Sequence, residues 1–316
     1  MNIKGIRSIN KRSLPKGTPS VTIAAILWGL SFPVIKWGLQ FIEFLSFLFY
    51  RFLVAALISI FLLFILYRKQ GFLKLKALRN PKILLLGIFI TLSFLFQFWG
   101  QTLTTAGKAS LFTTSNVIFV ALFSHLVGDE KITRKTILSV FLGIIGIYLL
   151  ALGGNPDLLL KGELLGDMLS FISGLFWALY IIVSKRILAI DINDTTSGYL
   201  SSLDLSLVLI ILSSIYLFFI NAAIFLVVPT NTWINYTGVI PVNAWIAIVF
   251  LALFSTTLAY YLYFDGLEKI SAVKSAVFLL IEIITAVVMG ILFLNEILTL
   301  PILIGGLLIA FAILLI

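Results

Sequence analysis

The sequence predicts an all-α polytopic membrane protein with ten transmembrane helices, arranged as two inverted five-helix repeats. Of the 316 residues, 61% are hydrophobic and 11% are charged, whereas about 25% of the residues of a soluble protein are charged. The apolar residues form long unbroken runs, unlike the alternating segments of about 10 residues that build a membrane β-barrel. The chain also resembles itself at a fixed offset, as internal repeats do.

Ten segments are long enough to cross a bilayer, which requires about 20 apolar residues. These spans 1 to 10 are residues 21–41, 44–67, 82–104, 107–127, 134–152, 164–187, 198–227, 244–265, 271–294 and 297–316. Span 1 follows a basic segment, but it is longer than the ~7–15-residue core of a signal peptide, and no clear cleavage site follows it. We therefore predict that it is an uncleaved membrane span.

The distribution of Lys and Arg predicts the orientation. If the N-terminus is inside, 18 of the 22 basic residues lie in inner segments, and the outer loops hold Lys108 and Lys161 alone. Cytoplasmic segments carry such an excess of positive charge. The bias predicts that both termini lie in the cytoplasm, and it explains the net charge of +9 better than nucleic-acid binding does.

Two offsets reveal the internal repeat. Residues 100–133 align with 266–299 at an offset of 166, and residues 27–39 align with 176–188 at an offset of 149. The pairs that an apolar composition does not explain are Gly100 with Gly266, Lys108 with Lys274, Glu130 with Glu296, Thr133 with Thr299, Trp28 with Trp177 and Lys36 with Lys185.

This repeat divides the chain into three parts. They are a basic cytoplasmic segment (1–20), a first repeat (21–152) and a second repeat (164–316). Five spans per repeat is an odd number, so the second repeat must insert upside down. Secondary transporters are often built in this way, with the substrate site near the midplane where the repeats meet. Duplication for stability alone is the alternative.

Glu282 is the most informative polar residue, because it lies in the middle of an apolar run, residues 277–290. An ionised side chain at that depth costs roughly 2.5–3.5 kcal/mol on insertion scales. The offset of 166 pairs it with Asn116, so we expect both side chains to face the bundle interior or a wet cavity. Glu282 would bind a cationic part of a substrate or carry a proton; the alternative is a structural glutamate that joins helices.

Six further residues inside the spans are weaker candidates for substrate binding. They are Trp28, Ser31, Gln97, Gln101, Trp177 and Tyr260. The two glutamines are four residues apart and share one helix face, where they either line a cavity or bridge helices. The two tryptophans lie too deep for an interfacial belt. They would either form a cavity wall or gate, or pack in the core. Tyr260 offers a hydroxyl and a ring to an amine, or it packs in the core.

Four charged residues are candidates for a gate or an ion pair. Lys36 and Arg51 lie below the predicted outer surface, and Lys185 and Asp204 lie near the inner one. An ion pair between Lys185 and Asp204 would hold spans 6 and 7 together or form part of an inner gate. Snorkelling of the long side chain is the structural alternative.

Several classes of catalytic chemistry are disfavoured. The chain has no cysteine and one histidine, His125, so thiol catalysis and a multi-histidine metal site are excluded. It also contains neither the DxxxD pairs expected of prenyl transferases nor an HExxH zinc motif. We therefore expect no cofactor and no enzymatic activity; a membrane-embedded enzyme is the alternative.

Four segments carry a resemblance to a known family. They are "ILWGLSFPVIKWGL" in span 1, "FYRFLVAALI" in span 2, "GKASLFTTSNVIFVALFSHLVGDEKIT" in span 4, and "KSAVFLLIEIITAVVMGILFLNEILTLPILIGGLLIAFAILL" across spans 9 and 10. In their order and spacing they resemble the EamA-type family of the drug/metabolite transporter superfamily. Val117 and Ile283 stand where that family often has proline, so the residue that would kink either helix is missing.

The resemblance implies a secondary transporter that exports amino acids or related metabolites across the plasma membrane by alternating access. Spans 1, 3, 4, 6, 8 and 9 would surround the substrate. The expected partners are a small-molecule substrate, the lipid bilayer and protons as a coupling ion, with the protein a monomer or a weak homo-oligomer. A channel or scaffold without saturable transport is the alternative.

Overall fold

The computed structural model describes residues 16–68, 74–104, 109, 112–129, 131–152, 157, 164–191, 200–227, 240–294 and 299–315. Within these ranges the chain is helical and contains no β-strand. The helices are α1 (Thr18–Gly38), α2 (Phe44–Tyr67), α3 (Pro81–Leu103), α4 (Asn116–Leu126), α5 (Arg134–Leu152), α6 (Leu164–Asp191), α7 (Ser202–Val227), α8 (Val242–Lys269), α9a (Ala272–Phe278), α9b (Ile281–Leu294) and α10 (Leu300–Leu315). Four residues singled out above, Lys108, Glu130, Lys161 and Glu296, lie outside the described ranges.

Six of these helices are both long and apolar enough to cross a membrane: α1, α2, α3, α6, α7 and α8. Helices α4 and α10 are apolar but shorter. Large apolar side chains also cover the outside of the bundle; Phe61 and Leu307, for example, are 62% and 63% exposed. A soluble protein rarely shows so much apolar surface, whereas hydrocarbon solvates it. The chain is therefore a multi-pass membrane protein.

Local sequence signals set where some helices begin. Asn80 accepts a hydrogen bond from the Lys82 backbone N–H at 2.9 Å, and Pro81 occupies the first turn of α3. Ser271 caps α9a by accepting from the Lys274 N–H at 3.2 Å. Each cap satisfies a backbone donor that has no partner inside its own helix.

The helices pack in pairs along much of their length. The closely packed pairs are α3 with α6, α1 with α8, α5 with α10, α2 with α7, α1 with α9b, and α4 with α6. Glycines permit the closest approaches, as is common between membrane helices. A Cβ added to Gly266 would lie 2.7 Å from the Gly17 carbonyl oxygen, and one added to Gly100 would lie 2.9 Å from that of Gly166.

Candidate functional site

The chain of the ninth span is broken immediately before Glu282. A turn at Leu279 and Leu280 separates α9a from α9b. Across it, the Glu282 N–H donates to the Leu279 oxygen at 2.9 Å, and the Ile283 N–H donates to the Leu280 oxygen at 3.2 Å. These bonds span three residues instead of four, as in a 3₁₀ turn. The break places Glu282 in the first turn of α9b, where the helix dipole favours negative charge.

A matching break precedes Asn116. A turn at Thr114 and Ser115 leads into α4, and the Val117 N–H donates to the Thr114 oxygen at 3.2 Å. The Asn116 side-chain amide donates to the Thr113 carbonyl oxygen at 3.1 Å, which satisfies a carbonyl beside the turn. Neither helix has a proline at this position, yet both are interrupted. Tight turns break the two helices instead, and in α4 the Asn116 hydrogen bond supports the turn.

A small polar cavity lies between the two breaks, with a volume of about 40 Å³. Seven of the candidate residues line it: Trp28, Ser31, Arg51, Gln97, Asn116, Trp177 and Glu282. The wall also contains residues that the sequence did not single out: Phe32, Ile35, Phe94, Thr113, Thr114 and Leu279. The repeat offsets were the signal for four of the seven, because they pair Asn116 with Glu282 and Trp28 with Trp177.

The Glu282 side chain is half-buried and faces the cavity. Within the part of the chain that the structure describes, its carboxylate forms neither a hydrogen bond nor an ion pair. Helix α1 holds its backbone closely, since a Cβ added to Gly29 would lie 2.5 Å from the Glu282 carbonyl oxygen. The structural alternative, a glutamate that joins helices through its side chain, finds no partner among the described residues.

Arg51, a candidate for a gate or an ion pair, lines the same cavity. It is 1% exposed, and its guanidinium donates from Nε to Thr256 Oγ1 at 2.9 Å and from Nη2 to Ser255 Oγ at 3.3 Å. Its Cζ lies 5.1 Å from the ring centroid of Phe94, a geometry worth about 0.5–2 kcal/mol. No carboxylate of a described residue lies within ion-pair distance, and Nη1 has no hydrogen-bond partner there.

The hydroxyls that hold Arg51 come from a π-helical stretch, Leu251–Leu258, inside α8. The same stretch receives Trp28, whose indole N–H donates to the Ser255 carbonyl oxygen at 2.8 Å. Wide π turns often mark functional positions in helices, and here one stretch positions both an aromatic and a cationic residue of the cavity wall. Ser255 and Thr256 could not be singled out from the sequence, because no composition signal marks a π turn.

An aromatic cluster closes one side of the cavity. The ring centroids of Trp28 and Trp177 lie 5.3 Å apart, and Trp28 also contacts Tyr260 at 5.7 Å and Tyr263 at 5.2 Å. Trp177 contacts Tyr180 at 5.4 Å. Both tyrosines beside Trp28 are at most 1% exposed, so Tyr260 packs beneath the cavity and does not line it. Trp28 meets Trp177 and Tyr260 edge-on, an arrangement that aromatic pairs prefer.

The cavity extends away from this cluster in a consistent direction. On α1 its wall runs from Trp28 to Ile35, and on α3 it runs from Phe94 to Gln97. Both paths lead toward the C-terminal ends of their helices. The bundle is therefore sealed by aromatic rings at the end where α1 begins, while the polar space lies toward the end where α1 stops.

Two other candidates do not reach the cavity. Gln101 lies one turn beyond Gln97 on α3 but outside the cavity wall, and its buried Nε2 has no partner in the described ranges. Lys36 is exposed at the end of α1 and forms no ion pair with a described residue. Of the two glutamines that share one helix face, Gln97 therefore lines the cavity and Gln101 does not.

Comparison with known proteins identifies the family. The EamA-like transporter family matches residues 16–152 and, a second time, residues 164–316. The chain belongs to the EamA-like transporter family. It is thus a multi-pass membrane transporter and not an enzyme.

Several proteins are similar to this EamA-like transporter. An uncharacterized transporter of Archaeoglobus fulgidus is 30% identical over 180 residues, which are 57% of this chain and 61% of that protein, less than two thirds of its length. The uncharacterized transporter YyaM of Bacillus subtilis is 25% identical over 267 residues, or 84% of this chain and 82% of that one. A solved crystal structure of a protein has the same fold, with a TM-score of 0.71 at 14% identity over 95% of both chains.

At the sealed end of this EamA-like transporter, the charged candidates have partners that the sequence did not predict. Asp204 forms an ion pair with Lys74 at 2.8 Å. Lys185 donates to the carbonyl oxygens of Leu267 and Glu268, at 2.8 and 3.0 Å, near the C-terminus of α8. The predicted ion pair between Lys185 and Asp204 is therefore wrong, because each finds a closer partner: a lysine from the segment before α3 and the carbonyls of a helix end.

Proposed function

We propose that the protein is a secondary transporter that exports amino acids or related metabolites across the plasma membrane by alternating access. One observation carries the proposal: a polar cavity with Glu282 and Arg51 in its wall lies between two helix breaks, and the sequence offset of 166 relates one break to the other. Discontinuous helices that meet near the midplane form the substrate site in many secondary transporters.

The packing supports two inverted five-helix repeats. If α1 to α5 correspond to α6 to α10, the contact of α1 with α8 corresponds to that of α6 with α3, and α1 with α9b corresponds to α6 with α4. The pairs of α2 with α7 and α5 with α10 then correspond to themselves, as expected around a pseudo-two-fold axis.

The glycine contacts support the same symmetry. The offset of 149 takes Gly17 to Gly166, and the offset of 166 takes Gly100 to Gly266. The close contact of Gly17 with Gly266 is thus repeated by that of Gly166 with Gly100. The family also matches the chain twice, once for each proposed repeat.

The dimensions of the cavity favour a carrier over a channel. A volume of about 40 Å³ holds a few water molecules, whereas sites for small organic ligands span about 300–1,000 Å³. The cavity is also closed on one side by the aromatic cluster. A closed space of this kind must widen to admit a substrate, which a carrier does by changing conformation.

We assign the sealed end to the cytoplasm, because basic residues concentrate on that side. Three contacts tie helices together there: Ser20 donates to Asp265 at 2.6 Å, Lys185 reaches the end of α8, and the Arg186 Nε lies 2.8 Å from Asp129. Opening toward the cytoplasm would part the aromatic cluster and some of these contacts. The driving force would be the substrate gradient itself or protons carried by Glu282.

The test is counterflow in liposomes containing the purified protein. Amino acids, polyamines and other amines would be screened as labelled substrates, at several pH values, for the native protein and for Glu282→Gln. We expect saturable counterflow by the native protein, and loss of transport or of its pH response in the variant. Lys36→Gln is the matched control, because it removes a charge outside the cavity and should leave transport unchanged.

Two results would contradict this proposal. Flux that never saturates, or no flux of any compound in the screen, would favour a channel or a scaffold. Unchanged transport by Glu282→Gln at every pH would leave the acid with a packing role.

A further inference from the structure

Among the described residues, no acid pairs with the buried charge of Arg51. Arg51 is 1% exposed, and its described hydrogen-bond partners are two neutral hydroxyls, Thr256 and Ser255. Glu282 lines the same cavity, but no ion pair joins the two among the described residues. A buried charge is strongly unfavourable unless an opposite charge pairs with it. Arg51 and Glu282 line one cavity without pairing with each other, so a ligand that contacts both would compensate both charges.

The guanidinium has free hydrogen-bonding capacity. A guanidinium carries five N–H donors. Those on Nε and Nη2 reach Thr256 and Ser255, while the buried Nη1 has no partner in the described part of the chain. Because Arg51 lines the cavity, an anionic group that enters it meets donors that no described residue uses.

The surroundings of Arg51 hold the guanidinium in place without neutralising it. Its Cζ lies 5.8, 5.1 and 5.9 Å from the ring centroids of Phe52, Phe94 and Phe98. Aromatic faces attract a cation but leave its charge intact. Together with the two hydroxyls from the π-helical stretch, they fix the planar fork that suits two-point binding of a carboxylate.

We propose that Arg51 binds the carboxylate of the substrate while Glu282 binds its amino group. The inference rests on the proposed carrier function and narrows it to substrates that carry both charges, such as α-amino acids. Amines without a carboxylate would leave Arg51 unbalanced, and acids without an amine would leave Glu282 unbalanced. A substrate with both groups compensates both.

The experiment compares each of the twenty standard amino acids with its own carboxamide, which keeps the amine but lacks the carboxylate. Counterflow would be measured with the native protein, Arg51→Gln, Arg51→Lys and Thr256→Val. The native protein should prefer the acid over the carboxamide by at least about tenfold. In Arg51→Gln the ratio of acid to carboxamide transport should fall to about one, because transport of the acid is lost. Arg51→Lys should retain part of the preference for the acid.

A merely structural role for Arg51, as a tie between α2 and α8, makes a different prediction. Arg51→Gln would then slow acid and carboxamide by the same factor and leave their ratio unchanged. Thr256→Val removes the tie at Nε while keeping the guanidinium, so we expect a preserved ratio even if the rate falls. An unchanged ratio in Arg51→Gln would overturn the proposal, whatever the ratio in Thr256→Val.

The outcomes separate this inference from the proposed function. Saturable transport of amines with no preference for the acid would overturn the role of Arg51 but retain the carrier. No transport of any amino acid, carboxamide or amine would overturn both. If Arg51→Gln does not yield folded protein, the native ratio and that of Arg51→Lys decide: a ratio of about one in the native protein contradicts the proposal.

Discussion

The breaks in α4 and α9 have similar backbones but very different side chains. Both consist of a tight turn with hydrogen bonds that span three residues, and both are followed by a polar residue that faces the cavity. Asn116 turns its amide back to Thr113 inside its own break. Glu282 keeps its carboxylate unbound by any described residue.

This difference separates the backbone turn, which belongs to the fold, from the acidic side chain, which is available to a ligand. The break itself occurs with a neutral side chain and without proline, so it does not require the acid. The Asn116 side chain is hydrogen-bonded within the protein, whereas the Glu282 carboxylate has no partner among the described residues. An ionised Glu282 would therefore be stabilised by a ligand and not by the protein. We therefore expect substitutions at Asn116 to act mainly on stability, and substitutions at Glu282 to act mainly on transport.

The largest expected effect comes from comparing Glu282→Ala with Asn116→Ala. Glu282→Ala should abolish counterflow and leave thermal stability in detergent unchanged or higher, because an unpaired acid in a membrane interior costs roughly 2.5–3.5 kcal/mol. Asn116→Ala should lower stability by about 1 kcal/mol, through loss of its hydrogen bond to Thr113, and keep part of the transport. The comparison fails if Asn116→Ala stops transport at full stability while Glu282→Ala only destabilises.

The fold and half of the site could be predicted because they leave repeated signals in the sequence. Hydropathy located the six long apolar helices to within a few residues of their observed ends. The offsets of 166 and 149 assigned equal depths to Asn116 and Glu282 and to Trp28 and Trp177. All four of these residues line the cavity.

The remainder of the site depends on helix rotation and on backbone irregularities, which those signals do not encode. Helix α2 is apolar on every face, so periodicity could not show that Arg51 points inward. The π turn in α8 has no sequence signature, so the partners of Trp28 and Arg51 stayed hidden. Asp204 was assigned to Lys185 by depth alone, whereas Lys74 reaches it from the segment before α3.

The second comparison concerns the glycines that pack against each break. A Cβ added to Gly29 would lie 2.5 Å from both the Glu282 oxygen and the Thr285 Cβ. One added to Gly174 would lie 2.7 Å from the Thr113 oxygen and 2.9 Å from Ser115 Oγ, a side chain that can rotate.

We expect Gly29→Ala to reduce transport and stability more than Gly174→Ala, within the ~1–3 kcal/mol typical of overpacking. Counterflow rates and thermal unfolding in detergent measure both effects. Gly306→Ala is the matched control, because no atom lies within 4 Å of its added Cβ and alanine favours a helix by up to about 1 kcal/mol. Equal effects at Gly29 and Gly174 would show that both breaks tolerate movement equally.

The smallest expected effect separates Trp28 from Trp177, the two tryptophans that the offset of 149 pairs. Trp28 donates its indole N–H to Ser255, whereas Trp177 forms no hydrogen bond with a described residue. Replacing either by phenylalanine removes a similar ring volume from the same aromatic cluster, so the difference between the variants isolates the hydrogen bond. Trp28→Phe should be less stable than Trp177→Phe by about 0.5–2 kcal/mol in thermal unfolding in detergent. The reason is that the Ser255 carbonyl oxygen loses its hydrogen-bond donor in Trp28→Phe. Equal stability would mean that the π-helical stretch finds another donor for that carbonyl, and that Trp28 contributes through packing alone.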